Sequence, residues 1–346
     1  MKTGFGIIGC GNIARFYFHG LEAAGARIVA IADVNAKAAE AYVAKHGARF
    51  TTDWRELLAD PEVTVVCVLT GSRLHREICL AALAAGKDVI CEKTMTNDAD
   101  EAAEVAAAAL ASGRLFFAAF MKRYFPAAKK AKELMPRLGR IFSAQVRAYQ
   151  NWGDFYNLDS DKGFEYIVRS YGGAVVKCAG SHMIDMTLDL LGRPESLYAH
   201  VDFVPGSDLD RKASALFEYA NGMVAHFETA VHPLKKIGLE RNSWDESIRI
   251  YGVGGSLELY TTMWDHTGNC AALLVHYDDA AGTSTEYRFD VVDPFDAEIA
   301  HFCTCLDSRR QEGPGVVDGF AVDTVISAIM SSAAGRMPVR LDWRGF

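Results

Sequence analysis

A short apolar run over residues 5–8 leads straight into Gly9-x-Gly11-x-x-Ala14. A helical pattern follows, and then a second apolar run over 28–32 that closes on Asp33. Strand, glycine-rich turn, helix, strand and terminal acid make up the context that a dinucleotide site requires. Gly9 permits the tight strand-to-helix turn. Gly11 carries no side chain, so backbone can approach a pyrophosphate. Ala14 is small enough for the helix to pack closely on a sheet, and the helix N-terminus offers free N–H groups to the anion. Asp33 can accept hydrogen bonds from an adenosine ribose. A carboxylate there suits a free 2′-hydroxyl and repels a 2′-phosphate. The next residues are Val34, Asn35 and Ala36, with Lys37 the nearest cation, so NAD is favoured over NADP.

The pattern up to about residue 120 alternates strands and helices. Strands are predicted at 4–8, 27–33, 64–69, 88–91 and 115–118, and helices at 14–24, 36–46, 54–59, 75–85 and 99–112. Val- and Ile-rich strands alternating with helices imply a parallel sheet covered on both faces. An extended segment at 121–125 before Pro126 reads as the domain junction. Beyond residue 140 the period changes to two. Runs at 141–149, 196–203, 213–219, 223–230, 247–251, 256–260, 272–277 and 286–289 follow one another, several separated by Asn-Gly or Gly-Gly turns. One helix is predicted at 182–191, and two more at 295–307 and 319–335. The expected fold class is α/β: a doubly wound Rossmann domain over 1–122, then an α+β domain over 123–346 with a large open antiparallel sheet.

The chain has 346 residues, too many for one ordinary core, and a formal net charge of −8. An acidic balance without a basic cluster argues against a nucleic-acid or anionic-membrane surface. Lys129, Lys130 and Lys132 fit the wet face of an amphipathic helix. No unbroken apolar run reaches the length of a bilayer span, which needs about 20 residues. A strand begins within the first few residues, which leaves no room for a leader, so a cytoplasmic location is expected. Several of the eight cysteines, Cys67 and Cys91 among them, sit in apolar runs, and such cysteines behave as small buried hydrophobes. Cys303 and Cys305 form the one close pair, without a second ligand cluster, so no metal site is expected.

Two constellations carry chemistry. The predicted strand 88–91 runs into Glu92-Lys93-Thr94. In an open parallel sheet the ligand lies beyond the carboxyl ends of the strands, so topology delivers Lys93 to the cofactor crevice. A positively charged nicotinamide beside it and partial dehydration both disfavour its ammonium, which makes it a competent proton carrier. A surface lysine after a strand is the alternative. The second constellation is Gly172-Gly173 followed by Cys178-Ala179-Gly180-Ser181-His182-Met183-Ile184-Asp185. His182 and Asp185 are three apart on a predicted helix and share a face, as a structural pair or as an acid/base with its orienting carboxylate.

Together these residues resemble the Gfo/Idh/MocA family of sugar and polyol dehydrogenases. The resemblance runs from Gly9–Ala14 and Asp33 through 70–78, 85–93 and 122–126 to the Gly-Ser-His-Met-Ile-Asp segment and the closing helix. It implies NAD(P), a Rossmann domain, and a homodimer or homotetramer through the C-terminal sheet. It also implies that Gly9, Gly11, Asn12, Ile13, Ala14, Asp33, Thr70, His75, Glu92 and Lys93 line the cofactor site. Lys93 and His182 become the expected catalytic residues, with Tyr124, Trp152, Asp154, Tyr156, Cys178 and Asp185 near a sugar or polyol substrate. Hydride transfer at a secondary carbon is the expected reaction. His182 would exchange the hydroxyl proton, Lys93 would stabilise charge on the same oxygen, and Asp185 would orient His182. Arg123 is expected to pair with a carboxylate, and Trp244 to pack in the core.

Two departures from the family pattern stand out. Thr94 replaces the usual proline after the lysine, and a trans Lys93–Thr94 bond is therefore expected, since a non-proline cis bond costs about 2.5–4 kcal/mol. Cys178 stands four residues before the histidine, where the family often has Asp, and a thiol is a poor acceptor. Either the substrate needs one hydrogen bond fewer, or Lys177, Asp185 or an Asp of the 154–161 stretch substitutes. Two other readings remain open at this point: an NAD-dependent glycosidase-like enzyme and a cofactor-bound regulator without turnover.

Overall fold

The computed structural model describes residues 3–153, 173–261 and 272–346. The chain packs as two compact units. The first comprises Met1–Met121, Phe295–Asp323 and Phe346; the second comprises Lys122–Pro294 and Thr324–Gly345.

In the first unit β1 (Gly4–Ile8), β2 (Arg27–Ala32), β3 (Arg49–Thr51), β4 (Val65–Val68), β5 (Asp88–Cys91) and β6 (Phe116–Ala118) form a parallel sheet. Its order is β3-β2-β1-β4-β5-β6. Every residue of β1, β4, β5 and β6 is buried, which is why these strands read as apolar runs, apart from the buried Asp88 that opens β5. Helices α1 (Ala14–Ala23), α2 (Ala36–His46), α3 (Trp54–Ala59), α4 (His75–Ala84) and α5 (Ala99–Ser112) connect them. Side chains of Asn35, Asp53 and Asp98 accept backbone N–H groups at the starts of α2, α3 and α5, and each such cap contributes about 1 kcal/mol. Strand order reverses between β1 and β4, which opens a crevice at their carboxyl ends. The three-residue β3 escapes the sequence reading because it is an exposed to half-exposed edge strand with no hydrophobic period.

Residues 295–323 return to this first unit, whereas a linear division at residue 122 assigns them to the second. Helix α8 (Pro294–Ser308) contributes Phe295, which stacks on Phe16 at 4.5 Å, and Phe302, which stacks on Phe117 at 4.6 Å. Arg309 pairs with Asp88, and Asp323 accepts hydrogen bonds from the Thr96 N–H (2.7 Å) and hydroxyl (2.8 Å). Asp323 lies in α9 (Val316–Gly335), a helix apolar and long enough to cross a bilayer, although 67% of its most apolar window is buried inside the protein. No sequence period announces such long-range partners.

The second unit opens differently from the reading of 121–125 as extended. Met121–Tyr124 form a 3₁₀ turn, and only Phe125, immediately before Pro126, is extended. Pro126 then starts α6 (Pro126–Leu134), where its missing N–H costs nothing.

The sheet of this unit contains β7 (Ile141–Asn151), β8 (Ser196–Phe203), β9 (Asp210–Glu218), β10 (Val224–His232), β11 (Trp244–Gly252), β12 (Gly255–Thr261), β13 (Leu273–Asp278), β14 (Thr283–Arg288) and β15 (Val339–Arg340). Among the described residues its order is β14-β13-β12-β11-β7-β10-β9-β8-β15. It is not purely antiparallel: β7 runs parallel to β10, with Ala148 opposite Thr229. A parallel partner needs a crossover, and the long connection from β7 to β8, which carries α7 (Ser181–Leu191), supplies it. Burial alternates along β7, β9 and β12, so one face is packed and the other is open. On the packed face, a Cβ on Gly180 would lie 3.4 Å from the Phe227 ring.

Candidate active site

Gly9 follows β1 with φ +101°, a conformation that favours glycine, and a Cβ there would meet the Leu69 carbonyl at 2.9 Å. The turn can therefore press against the end of β4 only without a side chain. A Cβ on Gly11 would meet nothing within 4 Å, so the surface before α1 is open to an approaching phosphate. Asn12 is exposed and Ile13 half-exposed, while Ala14 is buried against the sheet. Asp33, just past β2, is oriented by backbone: Oδ2 accepts the Cys10 N–H at 2.6 Å and Oδ1 the Asn35 N–H at 2.7 Å. Each oxygen keeps a further lone pair for a ribose hydroxyl. Burial, reinforced by Asp33, pushes the Cys10 thiol up to about 12, which leaves it inert. These residues fit a dinucleotide.

Lys93 lies directly beyond β5 and is half-buried. Glu92 is buried behind it. Its carboxylate accepts the Tyr17 hydroxyl at 3.0 Å and the Lys93 N–H at 3.1 Å. Burial raises the Glu92 carboxyl above the ordinary range, while the Lys93 charge and these hydrogen bonds pull it back. Glu92 therefore holds the Lys93 backbone. The Lys93–Thr94 peptide bond is cis, not trans as residue type implied. Thr94 is only 3% exposed and its carbonyl oxygen lies 2.9 Å from Nδ1 of His75, so tertiary contacts override the local preference. His75 is itself fully buried, which removes it from direct contact with a cofactor and places it behind the crevice. Thr70, beyond β4, is half-exposed and offers its carbonyl oxygen to Nε2 of His75 at 2.8 Å.

In the second unit a π-helical turn, Val176–Gly180, precedes α7. Such turns concentrate at functional sites because they re-aim side chains. Cys178 lies within this turn and is half-buried; His182 and Asp185 are buried in the first turns of α7. The Asp185 carboxylate is held by Arg123, whose Nε lies 2.9 Å from Oδ2 and Nη2 2.5 Å from Oδ1. Arg123 also reaches Asp189 at 3.2 Å, which locks one face of α7. The expected carboxylate partner of Arg123 is thus the residue expected to orient His182. Trp152 donates its indole N–H to Gln150 at 2.9 Å and packs against Ala174, Val175, Ala179 and Val231. Tyr124 is buried, with the Lys129 ammonium 5.3 Å from its ring centre. Asp154 and Tyr156 lie outside the described residues. Trp244 opens β11 half-buried, at the edge of the core rather than within it.

Residues 3–120 match the model of the oxidoreductase family with an NAD-binding Rossmann fold, and residues 129–258 match the GFO/IDH/MocA C-terminal domain. This chain belongs to the Gfo/Idh/MocA family. It is 26% identical to inositol 2-dehydrogenase 2 of Saccharopolyspora erythraea, across 96% of this chain and 94% of that protein. It is 25% identical to the NADP(+) D-xylose 1-dehydrogenase 2 of Haloferax volcanii, across 84% of each. Levoglucosan dehydrogenase in complex with NADH and levoglucosan shares its fold, with a TM-score of 0.83 and 23% identity over 99% of this chain and 100% of that one. The chain is therefore an NAD-binding oxidoreductase of this family by descent as well as by fold.

One residue of this Gfo/Idh/MocA protein was not singled out from sequence. Asp210, at the start of β9 and 2% exposed, accepts the Ala174 N–H at 2.8 Å and the Val176 N–H at 2.6 Å. It anchors the turn that carries Cys178 and leads to His182. Its only sequence signal is an acid entering an alternating strand. Among the described residues no group of three or more His, Cys, Asp or Glu could hold a metal.

Proposed function

We propose that this protein transfers a hydride between NAD(H) and a secondary hydroxyl or carbonyl of a sugar, sugar derivative or cyclitol. The observation that carries the reading is Lys93, placed at the carboxyl end of β5 over the buried Glu92, in the sheet whose Gly9 turn and Asp33 suit a dinucleotide. Bound nicotinamide supplies the hydride acceptor or donor. His182 exchanges the proton of the reacting hydroxyl, and Lys93 donates to its oxygen. The names of the relatives, which act on inositol and xylose, support a polyhydroxylated substrate. Cys178 offers no carboxylate to a diol, so the substrate relies on one acceptor fewer at that position.

NAD is the preferred cofactor in this reading, because an Asp33 held by two backbone N–H groups confronts a 2′-phosphate with like charge. The open sheet face, with a groove of ≈ 490 Å³ that includes Tyr198, His226 and the exposed Leu216, supports association of copies into a homodimer or homotetramer. The deciding experiment is a panel of inositols, aldoses, deoxysugars and sugar acids with NAD and NADP, followed by NADH absorbance. Glycoside cleavage without net NADH formation, or no turnover with any of them despite NADH binding, would overturn the dehydrogenase reading.

A further inference from the structure

His75 opens α4, has no exposed surface, and sets both ring nitrogens against carbonyl oxygens. Nδ1 lies 2.9 Å from the Thr94 oxygen and Nε2 2.8 Å from the Thr70 oxygen. Those carbonyls belong to the loops that leave β4 and β5, adjacent strands at the carboxyl edge of the sheet. Thr94, which supplies one of them, directly follows Lys93 in the chain. We propose that His75 is a positioning residue: it ties the two crevice loops together and so sets where Lys93 stands. This rests on the oxidoreductase reading, because it gives His75 a part in the reaction assigned to Lys93.

The ring suits that task better than a linear side chain. Carbonyl oxygens only accept, so each nitrogen bonds only when it carries a proton. A neutral ring donates to one loop and rests against the other; an imidazolium donates to both. Burial, with a contribution from the Lys93 charge, lowers the affinity of this ring for its second proton, while the backbone of Thr70, Thr94 and Met95 raises it. The buried ring cannot touch a bound molecule. Its influence passes through the Thr94 backbone to the neighbouring lysine. Misplacing a reacting group by about 1 Å costs on the order of a hundredfold in rate.

Two near-isosteres separate the two bonds. An asparagine amide reaches only as far as Nδ1 and can keep the donation to Thr94; a glutamine amide reaches Nε2 and can keep the donation to Thr70. NADH binding is followed by fluorescence, and kcat and KM are measured with the best substrate of the panel. His75→Asn is expected to stay within about threefold of wild type in kcat. His75→Gln and His75→Leu are expected to lose about tenfold or more in kcat, with NADH affinity and KM changed only a few-fold. A purely structural histidine would make the Asn and Gln variants equivalent, and equal kcat values in the two would overturn the proposal. So would a folded His75→Leu variant with wild-type kcat. If the Leu variant fails to fold, the Asn–Gln comparison still decides. Wild-type protein that bound no NADH would instead overturn the oxidoreductase reading, and this proposal with it.

Discussion

Arg123 grips Asp185 through both its Nε and its Nη2 atoms, and the carboxylate it holds has no exposed surface. The pair joins the 3₁₀ turn before α6 to the helix that carries His182. Removing one partner of a buried pair strands the other charge, at a cost of about 3–5 kcal/mol. Arg123→Leu is therefore expected to lose that much stability, read from urea unfolding. Arg123→Lys should fall between, since an ammonium keeps the charge but not the planar fork. A loss below about 1 kcal/mol for the Leu variant would show that the pair does not hold α7.

Cofactor selection follows from Asp33. NAD is expected to bind at least about tenfold more tightly than NADP, a difference of about 1.4 kcal/mol. Asp33→Ser should narrow the gap, chiefly by admitting NADP. Fluorescence titration with both nucleotides checks this, and equal affinities in the wild type would refute it.

The proton carriers are tested by Lys93→Met and His182→Ala. General acid–base catalysis commonly contributes about 10²–10⁴-fold, so each change should lower kcat by at least about a hundredfold. NAD affinity should move only a few-fold, because neither residue is assigned to the adenosine end. Near-wild-type turnover in a folded single variant removes that residue from the mechanism.

Cys178→Ala addresses the missing carboxylate. If the thiol merely fills the place of an acid, kcat/KM should fall less than about tenfold. A hundredfold loss would give the thiol a role of its own.

Acid stability is expected to depend on His232. Its Nδ1 accepts the Leu234 N–H at 3.0 Å, so the folded ring is neutral. Burial lowers its proton affinity below the ordinary value of 6.5, against an opposing pull from Asp245. Below that pH the unfolded chain binds a proton that the folded chain refuses, so stability falls as pH drops through the histidine range. His232→Asn keeps an acceptor for Leu234 but does not titrate. It should flatten the stability slope between about pH 7 and 5, measured as denaturation midpoints across that range. An unchanged slope would clear His232 of the effect.

Much of this molecule is legible in residue order because the signals are local. The turn at Gly9 needs a residue without a Cβ, buried parallel strands need unbroken apolar runs, and α2, α3 and α5 begin at side chains that can cap them. Those requirements gave the Rossmann unit, most strand and helix limits, and the position of Lys93. Runs of period two likewise announced eight of the nine described strands of the second sheet, while the two-residue β15 is too short to show a period. What residue order could not convey was pairing across long separations. The parallel β7–β10 pair, the return of residues 295–323 to the first unit and the claim of Arg123 on Asp185 all join segments whose local patterns carry no trace of the partner. The cis bond after Lys93 and the two-carbonyl grip of His75 belong to the same class. Local sequence sets which conformations are cheap, and tertiary contacts choose among them where buried polar groups must all be satisfied at once.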